Sequence, residues 1–80
     1  MIRKGLSDLA DGIESIDALV VSIGAPRLAR LRLPVREPLP DAEHRLYERL
    51  AADDPDAAHS RYNALIRLLV SYERAAECAS

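Results

Sequence analysis

Histidine, cysteine and clustered carboxylates carry most acid–base, nucleophilic and metal chemistry, and this 80-residue chain has few of them: His44, His59, Cys78 and the acidic trio Asp53, Asp54 and Asp56. If the chain turns back on itself near residue 54, His44 faces the level of residue 64 and His59 that of residue 49. The rings then stand about 7 Å or more apart along the axis, too far to share a metal. Both read as surface side chains. Cys78 needs an adjacent base to act as a nucleophile, and Arg74 and Glu77 are poor candidates for one. The stretch "DDPDAAHSRYN" lacks the bend glycine and late glutamate of a calcium loop, so its acids read as turn and helix-capping residues. There is no glycine-rich phosphate loop, nucleophile elbow or zinc-type spacing. The expectation is a protein that is not an enzyme, with no catalytic residue, cofactor or metal.

A different chemistry is suggested by "RLARLRLPVREPLP", residues 27–40. Arg27, Arg30, Arg32 and Arg36 form a basic arm that can contact anions, since arginines neutralise phosphates whatever the base sequence. The arm offers no aromatic to stack on a base and no amide to read one. Net charge is −2, with six basic and four acidic residues over 1–36 against five and nine over 37–80, far from the balance of a dedicated nucleic-acid binder. The favoured reading has the arginine stems cover apolar surface or pair with acids, such as the Asp8, Asp11, Glu14 and Asp17 face of a second copy. A nucleic-acid-binding regulator is the alternative.

These residues must be positioned by elements built almost wholly from aliphatic side chains: twelve Leu, five Ile and four Val, with three Tyr and neither Phe nor Trp. Leu6, Leu9, Ile13, Ile16, Val20 and Ile23 recur at spacings of three and four, which predicts one helix over about 6–23. Ser7 is its candidate N-cap, Gly24 its stop, and Pro26 prevents continuation. From Ala29 to Val35 apolar and basic residues alternate. With Pro34, Pro38 and Pro40 this predicts an extended connector over about 24–40, open between a short helix after Pro26, a segment packed along the helices, and an edge pairing with another chain. A second helix is expected over about 41–52, with Ala42, Leu46 and Leu50 as its stripe and Pro40 and Asp41 in its first turn. A third is expected over about 56–78, with Pro55 at its first position. There Ala58, Tyr62, Leu65, Leu69, Tyr72 and Ala76 make a heptad-like seam, while Ile66, Leu68 and Val70 lie off it. Tyr47 should meet Tyr62 across the turn.

The predicted architecture is all-α: a single domain over 1–80, a small bundle of an N-terminal helix packed across an antiparallel helical hairpin. The hairpin stretch "ERLAADDPDAAHSRYNALIRLLVSYERA" resembles the helical hairpin of type III secretion needle and inner-rod subunits. The resemblance covers residues 48–75 only; the family's extended C-terminal segment and the N-terminal helix have no counterpart to align.

A chain this short buries only about 60% of its unfolded surface, and one cysteine allows no internal disulfide, so association is the supplement that remains. The longest uncharged apolar run, "ALVVSIGAP", is shorter than the about 20 residues that span a bilayer, and no signal-peptide pattern opens the chain. The expectation is a soluble, cytoplasmic accessory subunit, adaptor or chaperone that homo-oligomerises or docks on a larger protein. Its expected contact residues are Leu31, Leu33 and Val35 of the arm and Tyr62, Leu65, Ile66, Leu69, Val70 and Tyr72 of the third helix.

Overall fold

A computed structural model describes residues 1–33, 35 and 37–79, with five helices and no strand among them. They are α1 (Ile2–Ala10), α2 (Ile16–Ile23), α3 (Ala25–Arg30), α4 (Ala42–Asp53) and α5 (Ala58–Ala79). The all-α expectation holds.

The single helix expected over 6–23 is two. Gly12 adopts φ +73°, a left-handed conformation that L side chains resist, and ends the first helical run just past Asp11. Ser15 then starts α2: its Oγ accepts from the Ala18 N–H at 3.0 Å, while its own hydroxyl donates to Asp8 Oδ2 at 2.6 Å. Lys4 Nζ donates to the same carboxylate at 2.8 Å, so one aspartate ties α1 to the cap of α2. Ser7, expected as the cap, lies inside α1. The periodic residues divide between two helices that pack together, and Ile13, in the turn between them, is 50% exposed. Contact between them is close at Gly5, where a β-carbon would stand 2.4 Å from the Asp17 carbonyl oxygen.

The centre of the molecule is α2. Ala18, Leu19, Val20 and Val21 have no exposed surface, as expected of a helix apolar all round, and α1, α4 and α5 all pack on it. Gly24 caps α2 as expected, yet Pro26 does not stop the chain: it sits in the first turn of α3, where its missing N–H costs nothing. The short-helix option therefore describes 25–30, and Leu28 of α3 is fully buried. Beyond it the connector packs along the core through Leu33, Val35 and Leu39. Ser22 anchors it by accepting from the Leu39 N–H at 3.0 Å while donating to the Ala18 carbonyl at 2.8 Å.

Helices α4 and α5 form the expected hairpin. Tyr47 lies against Tyr62 with ring centroids 5.8 Å apart and tilted by 59°, and Arg61 reaches Asp53 at 2.7 Å, so numbers rise along one helix as they fall along the other. The turn is organised by Asp54, whose Oδ1 accepts from the Asp56 and Ala57 N–H groups. α5 begins at Ala58, so Pro55 lies in the turn and not at the helix's first position.

Candidate functional site

The histidines stay apart. His44 pairs with Glu48 one turn on along α4, His59 lies beside Asn63 Nδ2 at 3.2 Å on α5, and both are exposed. Cys78 is also exposed. Among the described residues no three His, Cys, Asp or Glu side chains converge as a metal site would need. No helix among them is long and apolar enough to cross a membrane.

The basic arm is dispersed. Arg27 is engaged with Glu77 of α5 at 3.2 Å. Arg30 and Arg32 are exposed, Arg32 with φ 64°, and Arg36 lies outside the described residues. Three of the four N-terminal acids are engaged within the chain, Asp8 and Asp17 with Lys4 and Glu14 with Arg45 and Arg49, while Asp11 is exposed. Two of the arm's apolar residues, Leu33 and Val35, belong to the chain's own packing, and Leu31 is half-buried at the end of α3.

On α5 the seam divides. Ala58 is fully buried, Tyr62 and Leu65 pack against the core, and Leu69 is 3% exposed beside Gly24 at the α2–α3 junction. The Leu69 side chain is therefore enclosed by its own chain in this conformation and presents nothing to a partner. Ile66 and Val70 are half-buried. Tyr72 is 37% exposed, and Leu68, not anticipated as a contact residue, is 56% exposed. Leu68 and Tyr72 stand one helical turn apart and, with Met1, Ile2 and Arg3, line a shallow groove of about 460 Å³ between α5 and the start of α1. Sequence spacing identified the off-seam apolar residues of α5 but not which of them α1 and α2 would leave uncovered.

Two other hollows carry no comparable face. One, lined by Ser22, Ile23, Pro26, Leu39 and Asp41–His44, contains a serine hydroxyl already committed to two backbone groups. The other is the Glu14, Arg45, Glu48 and Arg49 ion-pair cluster.

Electrostatics separate the two sides of α5. Glu73 is 3% exposed, and its carboxyl is raised above the usual range by burial, with Glu77 adding to the rise and Arg27 opposing it. Burial, helped by Glu43, also raises the Tyr62 hydroxyl. On α1 the sign reverses: hydrogen bonds from Lys4 and Ser15 hold Asp8 below its ordinary value. The groove side of α5 has no acid at all, because Glu73 and Glu77 are the only two in the helix: one is buried and the other is paired with Arg27. The chain matches no family model, no curated protein and no solved structure, so the likeness of residues 48–75 to secretion-rod hairpins gains no support from comparison.

Proposed function

We propose that this protein is a small non-catalytic interaction module, an accessory subunit or adaptor of the cytoplasm, which buries the outer face of α5 against another protein chain. One observation carries the reading: α5 already spends its inner face on the core, yet Leu68 and Tyr72 remain open along the flank of that face beside Met1. An exposed apolar patch rimmed by charge is the usual form of a protein contact. The single cysteine, free and exposed at Cys78, suits a reducing compartment.

The nucleic-acid reading is weaker because Arg27, though exposed, is held by Glu77, which leaves Arg30 and Arg32 as the described cations of the arm with no ion pair to a described residue. A flat salt dependence of binding to duplex or single-stranded DNA would end it.

The test of the module reading is association by the parent chain and by Leu68→Glu, in two assays. Light scattering across a concentration series reads self-association, with reductant present to exclude Cys78 crosslinks. Fluorescence anisotropy reads binding to amphipathic helical peptides with acidic, neutral or basic flanks. Association in either assay that Leu68→Glu removes supports the module. If neither shows association that depends on Leu68, this surface is not a contact site and the reading fails.

A further inference from the structure

The outer side of α5 carries a second heptad pattern. Ala64, Leu68, Ser71, Ala75 and Cys78 are spaced four, three, four and three, the period of a helix-contact seam, and all five are exposed. The seam extends about 21 Å along the helix axis. Its small members let a second backbone approach closely, while Leu68, with Tyr72 beside it, supplies the knob. In this frame Arg67 and Arg74 each immediately precede a core position and lie one heptad apart. Those are flanking positions that choose a partner by charge in two-helix coiled coils.

These arginines have no ion pair with any described residue, and neither does Arg3 on the groove's other wall, whereas Arg27, Arg45, Arg49 and Arg61 each hold a carboxylate. Apart from Ser71 the seam is thus apolar along its middle, positive along the one border that carries Arg67 and Arg74, and faced by Arg3 across the groove, in a chain whose net charge is −2. A second copy fits it poorly. An antiparallel pair that places Leu68 against Ser71 brings Arg67 of one copy towards Arg74 of the other, and a parallel pair sets Arg67 against Tyr72 and Arg74 against position 79, an alanine, neither of which offers a charge.

From this pattern we infer that the outer seam of α5 docks an acidic amphipathic helix of a partner protein, with aliphatic residues in its own seam and glutamate or aspartate at the positions facing Arg67 and Arg74. Arg3 adds a third cation at the α1 side. The inference rests on the module reading and narrows it to one class of partner.

The probe is a fluorescently labelled synthetic helix of four heptads with leucine in the seam and glutamate at both flanks, alongside its lysine-flanked twin. The 80-residue chain should bind the glutamate peptide at least about tenfold more tightly than the lysine peptide, and added salt should erode that preference. The double variant Arg67→Glu/Arg74→Glu should reverse it, a result that general apolar stickiness does not give. Circular dichroism checks that both exposed variants stay folded. Equal affinity for the two peptides overturns the inference, as does a Leu68-dependent homodimer that excludes the glutamate peptide. Preference for phosphatidylserine vesicles over the glutamate peptide also overturns it, because the cations then serve a lipid surface. In the equal-affinity and homodimer outcomes the module reading survives if association still needs Leu68; loss of all Leu68 dependence takes both down together.

Discussion

Leu68 and Leu69 are neighbours of identical type in one continuous helix, yet one is 56% exposed and the other 3%. A turn of 100° between successive residues is enough to move a side chain from solvent to core, but which of the two goes inward depends on what covers the helix. Leu69 lies beside Gly24, at the junction where α2 gives way to α3. Leu68 looks out past Met1 into a groove that no other helix fills. The inner face of α5 therefore serves the stability of this chain, and the proposed contact with another chain falls to the outer face.

That contrast can be broken most strongly from the inside. Truncating Leu69 to Ala removes a buried side chain and should lower unfolding free energy by about 2 to 5 kcal/mol, measured by urea titration. An unchanged midpoint would place Leu69 outside the core. The cover can also be disturbed without touching α5. Gly5→Ala drives a β-carbon towards the Asp17 backbone carbonyl and Val21, and the strain should cost about 1 to 3 kcal/mol. Ser15→Ala deletes the cap of α2 and the hydroxyl held by Asp8, at about 1 kcal/mol in the same titration.

A smaller effect, with a defined sign, is expected at Glu73. Burial raises its folded-state carboxyl above the unfolded value, so the folded protein binds that proton more tightly. Stability contributed by this group is fully present below the ordinary carboxylate range and is lost as pH rises through the raised value. Glu73→Gln should therefore raise the thermal midpoint at neutral pH, with the gain disappearing near pH ~4. Asp8, whose value is lowered, slopes the other way in parent and variant alike and cancels in the difference. A gain that is the same at both pH values would mean that Glu73 does not titrate differently on folding.

Much of the fold was legible in the sequence. The α4–α5 hairpin, its acidic turn and the meeting of Tyr47 with Tyr62 follow from heptad spacing and turn residues, which are local signals with long runs behind them. The N-terminal half misled because the three-and-four spacing of six apolar residues runs straight across two punctuation marks, Gly12 and Ser15, which the structure shows to be decisive. Two short helices that pack face to face can show the same three-and-four spacing as one long helix. The candidate contact surface was only half legible. The large apolar residues of α5 stood out by spacing, but the outer four-three pattern was not read from the sequence, and inside and outside are set by where α2 lies. That depends on the break at Gly12 and the close approach at Gly5, both of which tertiary packing reveals.

The smallest expected effect on stability is also the most direct test of the division. Leu68→Glu places a charge on the outer face of α5, and in urea titration it should unfold within about 0.5 kcal/mol of the parent, as a surface substitution does. A loss of about 2 kcal/mol or more would show that Leu68 belongs to the chain's own core, and the separation of α5 into a structural face and a contact face would be wrong.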